Sequence, residues 1–300
     1  MLEKAGLKVV HVASRFKDYY SVTKPRIWYL LAYTALGGYI AGSSGQVDWF
    51  RALLATLSVI LASGGSEAVA NFIERDIDAL MERTRKRPLP SGKIKPEWKA
   101  LLLGIILIGL GMATAYYINL LALLFILFGV LDYVVVYVML SKRRTPLSVI
   151  LGSGAGGAPT MVGYVSAANQ ITIDSLILAA MVVLWIPTHI WSLALRYRDD
   201  YMRAGIPMLP VVISEKKSIR CISSTSILLV AFSIMVPYIN PSLYKLSYLI
   251  PVTVSGAILL LLSILLMRRP EPKLAWILFK FTSPHLAVIF TSIMVSLLTG

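Results

Sequence analysis

The chain consists of long apolar stretches that follow one another with only short polar interruptions. A helix needs about 20 consecutive, mostly apolar residues to cross the hydrocarbon core of a bilayer. Of the 300 residues, 57% are hydrophobic and 15% charged, and the mean hydropathy is +0.74, which argues against a water-soluble fold. We therefore expect an all-α, polytopic membrane protein.

Apolar length predicts about nine spans. They lie at roughly 27–43, 50–73, 99–118, 120–140, 146–167, 173–195, 222–239, 244–267 and 277–299. Alternate connections hold 27 of the 29 lysines and arginines, and only Arg51 and Lys245 fall on the other face. Positive charge concentrates on the cytoplasmic side, so we expect a cytoplasmic N-terminus. Residues 1–26 are predicted as an interfacial lead-in, and 27–300, which show no composition break, as one intramembrane domain.

The net charge of +14 would indicate nucleic acid as the partner of a soluble protein. Here the charge sorts onto one membrane face, so we expect contact with the lipid bilayer and no nucleic acid. The single cysteine, Cys221, excludes a disulfide framework and a cysteine-cluster metal site.

The connection after the second span carries an unusual group of oxygen-bearing side chains. If the span continues as a helix, Asn71, Glu74 and Asp78 stand at i, i+3 and i+7 on one face, while Asp76 points elsewhere. Hard oxygen ligands on a helix end suit Mg²⁺, whose coordination is completed by waters and substrate phosphates. Glu67, one turn before Asn71, is expected to face the same cavity.

Basic residues accompany these acids: Arg75, then Arg83, Arg85 and Arg87. Such a cluster next to carboxylates is suited to clamping a phosphate chain. Two other interpretations stay open: the arginines serve only as a positive-inside anchor, or the carboxylates only form salt bridges with them.

The connection after the sixth span repeats this composition, with Asp199 and Asp200 among Arg196, Arg198 and Arg203. The two connections are therefore predicted to converge on one phosphate group with one or two Mg²⁺ ions.

His189 lies within the apolar stretch before these charges, and either lines a substrate pocket or bonds a carbonyl freed by Pro187. Lys142 and Arg143 belong to a third basic connection, which is either an anchor or a phosphate contact. The glycine-rich run 152–157 favours close helix approach.

These residues resemble the UbiA-type intramembrane prenyltransferases. Asn71, Glu74 and Asp78 match the family's first acidic motif, Asn-Asp-x-x-Asp-x-x-x-Asp, although Ala70 replaces its usual first Asn and Glu74 its usual Asp. The haem-prenylating branch is indicated by two strings: Trp185-x-Pro187-x-His189-x-Trp191, and the run from Asp200-Tyr201 to Pro210. The adjacent Asp199 and Asp200 depart from the superfamily's spaced Asp-x-x-x-Asp.

The resemblance implies helices around a central cavity and the transfer of a farnesyl group from farnesyl diphosphate to the vinyl group of haem b. Water is added, giving haem O and pyrophosphate, in the cell (plasma) membrane. The product would then pass to haem A synthase or to terminal oxidase assembly.

The roles implied for single residues are as follows. The Mg²⁺ and catalytic set is Asn71, Glu74, Asp78, Asp199 and Asp200, with His189 as a further catalytic residue. The substrate-binding set is Arg75, Arg83, Arg85, Arg87, Lys142, Arg143, Trp185, Arg196 and Tyr201.

Two alternatives differ from this assignment. A related prenyltransferase would use an aromatic, quinone-precursor or lipid acceptor. A secondary transporter of an anionic solute would place its charge at the membrane midplane on broken helices, whereas nearly all charge here lies at the ends of the spans.

Overall fold

A computed structural model describes residues 16–241 and 244–299, which are mostly helical and contain no β-strand. Most of the predicted lead-in, residues 1–15, lies outside this range, and residues 16–22 form helix α1. The remaining helices are α2 (Pro25–Gly42), α3 (Trp49–Ile73), α4 (Arg75–Leu80), α5 (Trp98–Ile118), α6 (Leu120–Val130), α7 (Ser148–Leu151), α8 (Gly154–Ala168), α9 (Ile173–Arg196), α10 (Arg198–Arg203), α11 (Leu209–Val212), α12 (Glu215–Met235), α13 (Leu246–Arg268) and α14 (Pro272–Leu298).

Seven helices of the described residues are long and apolar enough to cross a membrane. They are α3, α5, α6 with its continuation to Ser141, α9, α12 with its continuation to Tyr238, α13 and α14. The two other predicted spans correspond to α2, with 18 residues, and to the region of α8, with 15. An all-α membrane protein is thereby confirmed, while the number of spans and the side of the N-terminus stay predictions.

The span predicted over 146–167 is not one continuous helix, because the chain there forms two helices, α7 and α8. They are separated by a turn at Gly152 and Ser153. The ring of Tyr137 packs against Gly152 so closely that a Cβ there would lie 2.6 Å from Tyr137 Cβ. Glycine at this turn therefore lets the neighbouring helix approach.

Helix α6 changes its winding at Leu131 and continues to Ser141 as a π-helix, with hydrogen bonds between residues five apart. The amide of Lys142 accordingly donates to the Tyr137 carbonyl at 2.8 Å. Such segments are rare and occur often at functional sites. This one carries Tyr133 and Tyr137, whose rings lie 5.9 Å apart.

Glycines bring α2 and α8 into backbone contact. A Cβ on Gly163 would lie 1.8 Å from the Ala35 carbonyl oxygen, and a Cβ on Gly38 would lie 2.3 Å from that of Thr160. Small residues allow such close approach of two helices. The pair forms one wall of the bundle.

A central cavity lies inside a ring formed by α2, α3, α6 with its π segment, α8, α9 and α14. Among the described residues, α5, α12 and α13 contribute no lining side chain. Helix α5 packs outside α3, and α12 and α13 pack outside α9 and α14. The connections 74–97, 142–147 and 197–214 lie at one end, called here the basic end.

Candidate active site

The cavity has a volume of about 340 Å³, within the range of sites that bind small ligands. Its wall is mostly apolar, with contributions such as Leu30, Val59, Phe125, Val162 and Leu286. Its charged lining residues are Lys24, Arg26, Glu67, Glu74, Asp78, Arg83, Arg87 and Lys142. A ligand with a charged head and a long apolar tail matches this division.

Carboxylates on the lining are each paired with a basic side chain. Glu67 lies 2.7 Å from Lys24 Nζ, and Asp78 Oδ2 lies 2.7 Å from Arg87 Nη1. Glu74, which is 3% exposed, pairs with Lys142. Glu67 faces the cavity as predicted.

The second span does not continue through the acidic segment as one helix, so the condition on which the shared face of Asn71, Glu74 and Asp78 depends is not met. Helix α3 ends at Ile73, Glu74 occupies the break with φ −94° and ψ 6°, and α4 begins at Arg75. Glu74 and Asp78 nevertheless both line the cavity. Asp76 points elsewhere, as predicted, and its carboxylate accepts two hydrogen bonds from Arg143, which holds the pKa of Asp76 below its usual value.

Asn71 differs from Glu74 and Asp78, the other two members of its motif, because it does not line the cavity. It is buried in α3, is not among the lining residues, and donates from its amide to the carbonyls of Val22 at 2.7 Å and Glu67 at 3.0 Å. These bonds tie the residues before α2 to α3. They thereby fix the carbonyl of the same Glu67 whose carboxylate faces the cavity.

Lys142 enters the cavity from the end of the π segment. Burial alone would lower its pKa, but the Glu74 carboxylate and the nearby hydroxyls of Tyr137 and Tyr201 outweigh that effect and raise the pKa. Lys142 is therefore a buried cation at neutral pH, available to an anionic ligand.

The predicted basic residues separate into three groups. Arg83 and Arg87 line the cavity. Arg75 and Arg143 line a different groove at the basic end, where Arg75 pairs with Glu97 at 2.5 Å and Arg143 with Asp76. The remaining two, Arg85 and Arg196, are exposed and do not line the cavity.

The two acidic connections meet through Asp200. Its carboxylate accepts the amides of Glu82 and Arg83, both at 3.2 Å, and pairs with Arg203. Burial opposes ionisation of Asp200, yet the hydrogen bonds from Arg203, Arg83 and Glu82 together lower its pKa. Asp200 thus holds the segment after α4 against α10.

Neither acid of the second connection lines the cavity, because Asp199 is exposed and both oxygens of Asp200 accept hydrogen bonds from protein groups. From this connection, the buried Tyr201 reaches the cavity wall.

His189 and Trp185 line the cavity on α9, so the pocket interpretation of His189 fits its position. Their rings are stacked with centroids 4.2 Å apart, and Phe279 lies 4.3 Å from the imidazole on α14. Trp185 Nε1 donates to the Thr282 carbonyl at 2.7 Å, and His189 Nδ1 lies 2.6 Å from the Thr282 hydroxyl. The aromatic wall is thus fixed to α14.

Sequence reasoning missed Lys24 and Tyr137. Lys24 falls within the predicted interfacial lead-in, whereas it turns inward with a left-handed backbone, φ 48° and ψ 64°, immediately before Pro25. The sequence does contain a signal for this inward position. It is a basic residue beside the proline that begins a span, together with a carboxylate in another span. The position of Tyr137 on the cavity wall depends on the π-helical winding, which the amino-acid composition does not predict.

The lining suits Mg²⁺ in its donor chemistry. Among the described residues no three His, Cys, Asp or Glu side chains are grouped closely enough to hold an ion unaided. Mg²⁺ typically needs only one or two carboxylates and takes its other ligands from substrate phosphates and water. Glu74 and Asp78, hard oxygen donors on one cavity wall, fit that pattern.

Known proteins are similar to this chain in sequence and in fold. Residues 31–285 match the UbiA prenyltransferase family. A protoheme IX farnesyltransferase of Desulforudis audaxviator is 41% identical over 93% of this chain and 88% of its own, and one of Thermoplasma volcanium is 40% identical over 95% and 99%. The solved structure of an Archaeoglobus fulgidus UbiA homologue bound to GPP and Mg²⁺ superposes with a TM-score of 0.69, at 17% identity over 92% of this chain and 99% of that one.

Proposed function

Because the chain belongs to the UbiA prenyltransferase family, we propose that this membrane enzyme transfers the farnesyl group of farnesyl diphosphate to the vinyl group of haem b. The allylic C–O bond breaks, a C–C bond forms at the terminal vinyl carbon, and water adds to the neighbouring carbon. The products are haem O, pyrophosphate and a proton. One observation carries the proposal: a single cavity holds both the carboxylate–cation pairs and the Trp185–His189 wall.

The diphosphate head binds at the basic end. Glu74 and Asp78 would hold Mg²⁺, which, when bound, neutralises charge developing on the leaving diphosphate. Asp199 and Asp200 are left out of this set because neither lines the cavity.

Ion pairs within the cavity provide for that binding. Lys24, Arg87 and Lys142 each neutralise a carboxylate. With Glu74 and Asp78 holding a metal ion, their partners Lys142 and Arg87 would be free to contact phosphate oxygens and to stabilise the departing charge. The lining carries five basic and three acidic side chains, so an excess of positive charge faces the diphosphate.

The farnesyl tail and the haem share the apolar part of the cavity. Tyr133, Trp185 and Phe125 line it and present aromatic faces, which stabilise an allylic cation without reacting as water would. His189 is the polar group on the same wall, beside the position proposed for haem.

We place the enzyme in the cell (plasma) membrane, with its basic end in the cytoplasm, on the distribution of lysine and arginine alone. A product that carries a porphyrin and a farnesyl tail leaves through the bilayer. Haem A synthase or terminal oxidase assembly would be its acceptor.

Product analysis tests the proposal directly. Purified protein is incubated with haem b, Mg²⁺ and prenyl diphosphates of several lengths, and the porphyrin products are identified by mass spectrometry. We expect a haem product carrying one farnesyl group and one added water, with pyrophosphate released in equal amount. Prenylation only of an aromatic acid, a quinone precursor or a glycerol lipid offered in parallel would overturn the haem assignment.

A further inference from the structure

His189 has a defined tautomer. The Thr282 hydroxyl lies 2.7 Å from the Phe279 carbonyl oxygen, and two oxygens approach that closely only when a proton lies between them. A hydroxyl carries one proton, so Thr282 donates to Phe279 and accepts from His189 Nδ1, which lies 2.6 Å away. Nδ1 therefore carries the hydrogen, and Nε2 of the neutral imidazole keeps a free lone pair.

The ring is also held in position. The Trp185 ring stacks on the imidazole with ring centroids 4.2 Å apart and ring planes at 21°. The Phe279 ring packs against the imidazole with centroids 4.3 Å apart and planes at 30°. A further stack joins Phe279 to Trp276, with centroids 5.0 Å apart. With its neighbours fixed and Nδ1 bonded, the imidazole cannot turn freely. The ring bonds to Thr282 through Nδ1 and also contacts the Phe279 carbonyl, and His189 lines the cavity.

A metal-ligating histidine usually has this arrangement, with the second ring nitrogen donating to an oxygen that fixes the tautomer. A bare zinc-type ion held by histidine would need several protein ligands, and no group of three His, Cys, Asp or Glu exists in the described part of the chain. Iron in a porphyrin already has four nitrogen ligands and is commonly held by one histidine. The site therefore fits haem iron.

We infer that Nε2 of His189 is an axial ligand of the haem iron, and that Thr282 is a positioning residue which fixes the imidazole tautomer for that bond. The inference rests on the proposed function, because it takes haem b as the acceptor. It gives the enzyme a point of attachment for haem that is separate from the diphosphate end.

Ligation is tested by spectroscopy on the purified full-length protein with bound haem b and no prenyl diphosphate. We expect a resonance Raman iron–histidine band in the ferrous state, its loss in His189→Ala, and recovery of nitrogen ligation when imidazole is added to that variant. Thr282→Val should shift the band and weaken haem binding by about 10- to 100-fold. Thr282→Ser, which keeps the hydroxyl, should resemble the unsubstituted protein, and the Trp185 bond to the Thr282 backbone carbonyl remains in both variants.

Two outcomes would overturn the inference: an unchanged haem spectrum in His189→Ala, or equal behaviour of Thr282→Val and Thr282→Ser. Failure of the proposed function is recognised separately, since the unsubstituted protein would then bind no haem b or form no farnesylated haem. A protein that farnesylates haem but shows no histidine band refutes the ligation alone.

Discussion

The buried pair of Glu74 and Lys142 offers a quantitative test of the structure. The two side chains are 3% and 14% exposed, so neither charge is well solvated. Glu74→Gln removes the carboxylate and leaves the ammonium of Lys142 buried without a counter-charge. Loss of one partner from a buried pair costs about 3–5 kcal/mol of folding free energy.

A second substitution separates the pair from the site. In Glu74→Gln with Lys142→Met both charges are absent, and replacing a whole buried pair by apolar groups is often neutral. We therefore expect the double variant to be more stable than Glu74→Gln alone. The exposed pair of Arg75 and Glu97, with side chains 39% and 45% exposed, provides the control: Glu97→Gln should cost at most about 1 kcal/mol.

Equilibrium unfolding in mixed detergent micelles measures these differences. The pH should lie between 7 and 8, where Lys142, whose pKa is raised, is fully protonated in the folded protein. A raised pKa contributes stability that is lost only as the pH rises through it, so this range keeps the pair intact. Two results would contradict the buried pair. Glu74→Gln could cost no more unfolding free energy than Glu97→Gln, or the double variant could lose as much as Glu74→Gln and Lys142→Met lose separately when added together.

Three further predictions concern other parts of the molecule. Gly163→Ala places a Cβ 1.8 Å from the Ala35 carbonyl oxygen and should cost about 1–3 kcal/mol or more in the same unfolding assay, while Gly109→Ala, which meets nothing within 4 Å, should cost none. Asp200 has a lowered pKa, so its contribution to folding stability is present above the ordinary pKa of 3.8 and is lost as the pH falls through the lower pKa of the folded protein. Asp200→Asn should therefore be less thermostable than the unsubstituted protein at pH 7 and equally thermostable in strong acid. Lys24→Gln should weaken farnesyl diphosphate binding, measured by calorimetry, with unchanged haem b binding; equal loss of both would contradict its place at the diphosphate end.

The helical membrane fold was predictable because about 20 apolar residues in succession have few alternatives in water or lipid. Membership of the prenyltransferase family was predicted from the acidic motif and is confirmed. The π winding after Leu131 and the turn at Gly152 were not predictable, since both depend on how Tyr137 packs against the neighbouring helix.

The residue types of the candidate site were more predictable than the directions in which their side chains point. The i, i+3, i+7 spacing assumed a continuous helix, and the break at Glu74 separates Asn71 from Glu74 and Asp78. Arg143 is adjacent to Lys142 in sequence but pairs with Asp76 in another groove. Charge and spacing do not distinguish two neighbours at a helix end, because only the tertiary contacts decide which one turns inward.

The central claim is that carboxylates on the cavity wall hold the metal and the diphosphate. Asp78 and Asp76 form a matched pair for testing it, since they lie two residues apart in α4 and each pairs with an arginine, but only Asp78 lines the cavity. The decisive measurement is Mg²⁺-dependent farnesyl diphosphate affinity and haem O formation in Asp78→Asn and Asp76→Asn. The account predicts loss of both quantities in Asp78→Asn and near-unchanged values in Asp76→Asn, whereas equal effects of the two substitutions, or normal turnover in Asp78→Asn, would contradict it.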